Sequence, residues 1–510
     1  MPLIVEPIEV TASARKPRPT TRMRKWPTLM AYTGLVASSF YIENFGCRAA
    51  RADGEALADR LQASGHCMQQ LTEAEVVVVN TCSVTAEADR EARAFIRRTH
   101  RLNPTAKIVA TGCYAQRAPE DLAALEGVAL VVGNSHKALA PEMVTRLMRG
   151  AAPDTPMVSV SALLHNGAAV FVDDRFAHSF LEEAQLAPGA QTRPNLKIQE
   201  GCGNRCSFCV IPQTRGGSRS LAVDAVLRQV EGFVAAGGNE LVLSGINLGR
   251  WGRDLPGRLT LAELVRRIFA ETDLARLRLS SIEPMDWDAE MIALVAEFAG
   301  THAGARATGT GRRGGRLARH THLPLQSGSD AVLRRMHRRY RPWHYAEKAT
   351  ALVRAAGPEL TLGADVMVGF PGETDAEFEE TMEMVRALPF GYLHLFPFSP
   401  RPATRAWALH AAAPVAAEAV KERMAALRTL GEEKARAHRA SFVGRELEAI
   451  TLHTPDRIAA EGRTSALTEN FIPMRLAGAA PANRLTRVLV TGIGAEGEVL
   501  AMEALPAAVA

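Results

Sequence analysis

No run of about eighteen consecutive apolar residues occurs in this 510-residue chain, so no segment of it reads as a membrane-spanning helix and no membrane partner is expected. Strong charge of one sign is also lacking. The formal net charge of +5 permits a polyanionic partner without demanding one. The amino end has no apolar core of the kind a secretory signal carries, and the cysteines are few and odd in number, seven in all. That combination argues for a reducing compartment, the cytoplasm, and for metal rather than disulfides. What is present is a globular composition, 47% hydrophobic and 23% charged, over a length that accommodates two to four domains. Residues 1–36 carry Arg15, Lys16, Arg18, Arg22, Arg24 and Lys25 among prolines and threonines. They read as a disordered basic tail, with a transit peptide or an unused upstream start as alternatives.

Residues 199–219, QEGCGNRCSFCVIPQTRGGSR, organise the rest. Cys202, Cys206 and Cys209 stand at C-x3-C-x2-C, directly after the alternation Asn195, Leu196, Lys197, Ile198 that reads as a strand. Three thiolates on one short loop suit three irons of a 4Fe-4S cluster and leave the fourth iron open. The known use of this spacing is to bind S-adenosylmethionine at the open iron and cleave it to a 5′-deoxyadenosyl radical. Structural zinc is the alternative, but it takes four ligands and no fourth cysteine is near in sequence. Phe208, between the second and third cysteines, is either ordinary packing or a neighbour of bound S-adenosylmethionine.

Upstream, three apolar runs each lead to a cysteine: 39–45 to Cys47, 75–79 to Cys82 and 107–110 to Cys113. Apolar runs separated by segments of helical length predict an open α/β domain over 37–150, with ligands gathering beyond the carboxyl ends of its strands. A lone strand-end cysteine is commonly a small buried hydrophobe. Three at equivalent positions point to a second iron-sulfur cluster, again with an open iron. Cys67 fits neither trio and reads as structural.

Residues 151–189 have little periodicity and read as a linker. Over 190–425, strands are predicted at 196–199, 240–244, 276–281, 320–324, 364–368 and 392–396, a full or partial βα barrel with its catalytic groups at the carboxyl strand ends. Gly245, Glu283, Gln326 and Ser327 fall at or just after such ends, as turn residues or as cofactor contacts. The glycine- and arginine-rich stretch 301–316 reads as a mobile insertion. A helical connector over 426–440 then leads to five short strands and a small β-barrel over 441–506, of a kind used on RNA. From residue 441 onward, six arginines and no lysine face eight acids. Electrostatic contact with RNA is therefore assigned to Arg90, Arg93, Arg97, Arg98 and Arg101, or to Arg334, Arg335, Arg338, Arg339 and Arg341, with a solvated helix face as the alternative for either run.

Two cysteine trios followed by a small β-barrel resemble the radical S-adenosylmethionine (radical SAM) methylthiotransferases, from residue 39 to about residue 505. Further matching words are VIPQTR (210–215), HLPLQSGSD (322–330), DVMVGFPGET (365–374) and FPFSPRP (396–402). The resemblance implies an α/β methylthiotransferase domain, a partial (βα)6 radical SAM barrel and a C-terminal TRAM β-barrel. It assigns Cys47, Cys82 and Cys113 to an auxiliary 4Fe-4S cluster, and Cys202, Cys206 and Cys209 to the catalytic one. It also implies two S-adenosylmethionine molecules per turnover, an electron donor of flavodoxin or ferredoxin type, a tRNA substrate and a monomer. NTCSVT (80–85), Ala88-Asp89-Arg90 and TGCYAQ (111–116) look like the branch that methylthiolates C2 of N6-threonylcarbamoyladenosine beside the anticodon. Isopentenyladenosine tRNA or a ribosomal protein is the alternative substrate, and a noncatalytic metal-containing RNA-binding protein is the alternative of another class. The stretch Arg48-Ala49-Ala50-Arg51 departs from the family's usual valine or leucine and asparagine.

Overall fold

The computed structural model describes residues 38–150, 168–179, 181, 186, 191–299 and 315–504. The basic tail, most of the expected linker and most of the glycine- and arginine-rich stretch lie outside these residues. The first sheet is wholly parallel, in the order β2-β1-β3-β4-β5-β6. Its strands are β1 (Ser39–Asn44), β2 (Cys67–Met68), β3 (Val76–Thr81), β4 (Lys107–Gly112), β5 (Val128–Gly133) and β6 (Ala169–Phe171). Every residue of β3 is buried, because helices cover both faces of a parallel sheet and β-branched valines suit that double burial. β6 corrects the expectation of a linker over 151–189: Ala169, Val170 and Phe171 are buried, and they extend the sheet beside β5.

The central domain sets out six parallel strands in chain order, as expected of a partial βα barrel: β7 (Asn195–Glu200), β9 (Glu240–Gly245), β10 (Arg276–Leu279), β11 (His320–His322), β12 (Thr361–Val368) and β13 (Phe390–Pro397). A short antiparallel β8 (Arg219–Ser220) edges β7. The strands form two ladders joined by one bridge between Leu277 and Leu317. Leu196, Ile198, Leu241, Leu243, Leu277, Leu279, Leu362 and Val366 face the surrounding helices in one core. The period-2 alternation of a strand turns the intervening side chains to the lumen. These include Lys197, Arg278, His322, Asp365 and His394.

Arg316 corrects the mobile reading at the end of the inserted stretch. Its guanidinium donates to the carbonyls of Phe269, Thr272 and Leu274 and covers the Phe269 ring at 4.6 Å. In this way it satisfies the Phe269 carbonyl in the last turn of the helix Leu261–Glu271 and two carbonyls just beyond it.

The expected connector is the second half of one helix, Ala417–Ala440, and it belongs to the barrel's outer layer. Leu427 is buried in the barrel core, and Gly431 lies so close to Leu393 that an added Cβ would sit 3.3 Å from it. Beyond it, β14 (Glu446–Thr451), β15 (Arg463–Thr468), β16 (Pro473–Ala477), β17 (Leu485–Ile493) and β18 (Val499–Glu503) close into the predicted barrel. That barrel is tied to the amino end of the lumen. Arg276 bridges Glu240 and Glu448, Arg278 donates to the Thr468 carbonyl at 3.1 Å, and Phe471 stacks on His320 at 4.2 Å.

The second arginine run is committed internally. Arg334 and Arg341 pair with Asp330, Arg335 with Glu377 and Arg338 with Glu283. Arg90, Arg97, Arg98 and Arg101 on the helix Ala86–Leu102 are exposed, so this helix is the better candidate for contact with phosphates.

Candidate active site between the sheet domain and the barrel

β7 is followed by Gly201, whose positive φ and proximity to Gly217 exclude a side chain: an added Cβ would lie 2.0 Å from the Gly217 carbonyl oxygen. The loop that follows brings each thiol to an N–H donor. Cys202 Sγ lies 3.4 Å from the Asn204 amide nitrogen and 3.5 Å from Asn247 Nδ2. Cys206 accepts from Arg338 at 3.3 Å and Cys209 from the Ile211 amide at 3.5 Å. Burial pushes the Cys209 thiol up to about 12 and raises that of Cys206. Thiols so placed become thiolates when a metal replaces the proton, and N–H donors to sulfur tune the potential of a bound cluster.

The carboxyl ends of β1, β3 and β4 bring Cys47, Cys82 and Cys113 together. Gly46, at positive φ, approaches Cys82 so closely that an added Cβ would sit 2.4 Å from the cysteine Cβ. Burial raises the Cys82 thiol to about 12, and the neighbouring Cys113 and Cys47 push in the same direction. Cys113 Sγ faces Arg215 Nε at 3.3 Å and Asn134 Nδ2 at 3.5 Å.

Arg215 is buried, comes from the loop of the other cysteine trio, and also bonds Asp53 at 2.9 Å and Glu200 at 2.8 Å. Lys137 and Lys197 pair with the same two acids. Burial would raise the carboxyl of Glu200, but Arg215, Lys137 and Lys197 hold it well below the usual carboxylate range. A second tie runs through Asp89, which accepts from Ser83, from Arg117 at 2.8 Å and from Arg401 at 2.6 Å. It joins the word around Cys82 to FPFSPRP in the barrel.

A cavity of about 370 Å³ opens between the two domains, lined among others by Val84, Phe208, Cys209, Glu283, Gln326 and Asp365. Phe208 meets Phe370 edge-on at 6.4 Å, and Glu283 pairs with Arg338 beside Cys206. Gln326, at positive φ, keeps a buried Oε1 with no hydrogen-bond partner among the described residues.

Ser327 and Gly245 take the first of their two readings, strand-end packing and hydrogen bonding. Ser327 is fully buried, and its hydroxyl bonds Thr381 on the helix Asp375–Ala387 rather than lining the cavity. Gly245 also stays out of the cavity lining; it permits a close approach of Gln199, whose Cβ would lie 2.8 Å from an added one.

Among the described residues, the one trio of metal-ligating atoms within 4.8 Å of one another is His322, Asp365 and His394. Neither cysteine trio closes to that spacing. Structural zinc takes four ligands, whereas each of these trios supplies three cysteines. The donor set fits clusters, whose cysteines spread around several irons.

Residues 39–133 match the Uncharacterized protein family UPF0004, and residues 196–385 match the Radical SAM superfamily. The chain is 33% identical over 450 residues to the threonylcarbamoyladenosine tRNA methylthiotransferase MtaB of Aquifex aeolicus, covering 88% of this chain and 99% of the relative. The chain belongs to the radical SAM methylthiotransferase family. The Bacillus subtilis protein of the same name is 32% identical over 85% of this chain and 89% of its own. The tRNA-2-methylthio-N(6)-dimethylallyladenosine synthase of Geobacter metallireducens is 33% identical over 72% and 77%. Among solved structures, the radical S-adenosylmethionine methyltransferase TsrM of Kitasatospora setae, 15% identical, shares the fold with a TM-score of 0.51 over 72% of this chain and 77% of its own.

As a radical SAM methylthiotransferase the protein is a transferase that uses S-adenosylmethionine and a 4Fe-4S cluster. Sequence reading had not singled out Arg215, Asn134, Asp53, Lys137, Lys197 or Glu200. Arg215 ends the quoted word VIPQTR, which was its available signal. Asp53 and Lys137 lie in segments with no motif, and only folding brings them to Glu200.

Proposed function

We propose that this methylthiotransferase acts on tRNA and installs a methylthio group at C2 of N6-threonylcarbamoyladenosine beside the anticodon. The observation that carries the proposal is the convergence of two thiol trios from separate domains on one interface, with Arg215 bonded to Cys113 from the loop of the other trio. Relatives named for this substrate match along both domains.

On this reading Cys202, Cys206 and Cys209 hold one 4Fe-4S cluster and Cys47, Cys82 and Cys113 a second. When bound, these clusters and two S-adenosylmethionine molecules supply the radical, the methyl group and the sulfur, with electrons from a flavodoxin- or ferredoxin-type donor. The chain's own groups position and shield. Arg338, Asn247 and the Ile211 amide donate to the first set of sulfurs, and Arg215 and Asn134 to Cys113. Phe208, Glu283 and Gln326 are assigned to S-adenosylmethionine, and Val84 helps to exclude water from the cavity. The enzyme works as a cytoplasmic monomer.

The test uses anaerobically reconstituted enzyme, tRNA bearing threonylcarbamoyladenosine and methyl-labelled S-adenosylmethionine. Cys206→Ala abolishes both 5′-deoxyadenosine and methylthio product. Cys82→Ala retains cofactor cleavage and loses the product. Normal product from Cys82→Ala ends the assignment.

A further inference from the structure

Ser207 stands between Cys206 and Cys209 and is buried. Its amide donates to the Met336 carbonyl at 3.0 Å, its hydroxyl donates to the Arg335 carbonyl at 2.8 Å, and its own carbonyl accepts from the Ala406 amide at 2.8 Å. The loop of the first thiol trio is thereby sewn to the end of the helix Asp330–Arg335 and to the first turn of the helix Arg405–Ala412. Gln213 adds a further tie, from Nε2 to the Ala403 carbonyl at 2.9 Å. The joined segments, 203–209, 334–341 and 403–410, carry seven arginines and no aspartate or glutamate.

Four of the seven, Arg334, Arg335, Arg338 and Arg341, pair with acids from elsewhere. The other three have little compensation. Arg205 is exposed and makes no hydrogen bond or ion pair among the described residues. Arg405 is exposed and meets the His337 ring, Nη1 to Nδ1 at 3.4 Å, with no carboxylate partner among the described residues. Arg339 has Asp286 at 3.9 Å, a carboxylate that Arg250 and Arg253 already share. On the same helix as Arg405, Trp407 and Leu409 are 47% and 39% exposed.

None of these residues lines the cavity, which the loop borders with Phe208 and Cys209. A partner on this face therefore leaves the substrate's entrance free. RNA phosphates also suit free arginines, but the helix Ala86–Leu102 is better placed for them, because Val84 and Thr85 just before it line the cavity. A 4Fe-4S cluster that cleaves S-adenosylmethionine has to be reduced first, and electron tunnelling weakens exponentially with distance, so the reductant has to approach this loop closely. Uncompensated guanidiniums steer an acidic partner, and an exposed indole offers a flat face to an aromatic edge. A flavin presents such an edge, whereas an iron-sulfur carrier does not.

We propose that Arg205, Arg339, Arg405 and Trp407 form the docking surface of a small acidic flavoprotein that carries single electrons. This rests on the reading above that Cys202, Cys206 and Cys209 hold a 4Fe-4S cluster, and deepens it by locating where the electron enters. One electron leaves the partner's reduced flavin and is taken up at the cluster, and no atom or proton is transferred. The arginines speed encounter and Trp407 anchors the complex, as fits the small, transient interfaces of electron carriers.

The experiment uses anaerobically reconstituted wild type, Arg405→Glu, Trp407→Ala and Trp407→Phe, with purified bacterial flavodoxin as the probe. Iron content is recorded, flavodoxin affinity is titrated at low and high salt, and 5′-deoxyadenosine formation is driven by reduced flavodoxin or by dithionite. Arg405→Glu and Trp407→Ala are expected to weaken flavodoxin binding and slow flavodoxin-driven cleavage roughly tenfold, with dithionite-driven cleavage at the wild-type rate. Trp407→Phe keeps most of the affinity, and added salt weakens wild type more than Arg405→Glu. Hydrogen exchange of the wild-type complex, which needs no variant, shows protection in 203–209, 334–341 and 403–410.

Wild-type affinity and rate in both Arg405→Glu and Trp407→Ala overturn the surface, as does protection confined to other segments. Should the variants lose dithionite-driven cleavage as well, the protection pattern decides alone. A plant-type ferredoxin that binds these residues more tightly than flavodoxin overturns the choice of a flavoprotein. An anticodon stem-loop that protects the same segments and displaces flavodoxin overturns the surface in favour of RNA. Flavodoxin-driven cleavage without methylthiolated tRNA removes the tRNA reading and leaves the surface standing, whereas wild type that holds no cluster on Cys202, Cys206 and Cys209 removes the surface too.

Discussion

Arg215→Met separates the two duties of the buried cation at the domain interface. Arg215 serves Asp53, Glu200 and Cys113 at once. Without it, the two acids still face Lys137 and Lys197, so the cluster stays compensated two against two. The cost in stability should then be about 1–3 kcal/mol, below the 3–5 kcal/mol typical of a buried charge left alone.

Cys113, in contrast, loses the guanidinium that donates to it, a charge-assisted bond of roughly 1.5–3 kcal/mol. A reduced cluster carries one more negative charge than an oxidised one and is favoured more by that cation. If about 1.4 kcal/mol of the contact is selective for the reduced form, the potential of the proposed second cluster falls by about 60 mV for a one-electron couple. The assay is a potentiometric titration followed by electron paramagnetic resonance, with Cys202, Cys206 and Cys209 replaced by alanine so that one cluster reports. Arg215→Lys should fall between wild type and Arg215→Met. A midpoint unchanged within about 10 mV in a fully loaded Arg215→Met protein would refute the reasoning.

Gly46→Ala puts a Cβ 2.4 Å from the Cβ of Cys82 at a backbone angle that L residues avoid. Cys82 must shift, so iron should drop from about eight toward about four per chain with cofactor cleavage retained; eight irons and full product would contradict this. Glu240→Gln tests the charge cluster at the amino end of the barrel. Burial alone would raise the carboxyl of Glu240, but Arg278, Arg276 and Arg193 bring it from 4.5 down to about 2. A carboxyl lowered in the folded state contributes stability above its ordinary value and loses it as pH falls through the folded one, here about 3 kcal/mol lost between 4.5 and about 2. Denaturant titrations should show a less stable variant at neutral pH with a flatter acid limb; an acid limb like that of wild type would count against the pairing.

The parallel α/β sheet, the six barrel strands and the terminal β-barrel were all legible, because each rests on local signals: continuous apolar runs, and alternation between turns. Misreadings arose where a short element had a weak pattern of its own. β6 is three residues long and is held by β5, and Arg316 ends a stretch whose composition signals disorder. Arginine runs were legible as charge and not as partners, since Arg335 meets Glu377 and Arg338 meets Glu283 only across folded elements.

By itself, the sequence determined which chemistry the chain can hold, for thiol spacing within a loop and strand periodicity are properties of neighbouring residues. Only the tertiary structure decided that Arg215 reaches Cys113 across a domain boundary, and that His322, Asp365 and His394 share one face of three strands. Such contacts join residues far apart in the chain, and their energies depend on burial and on which charges stand nearby, which no local spacing encodes.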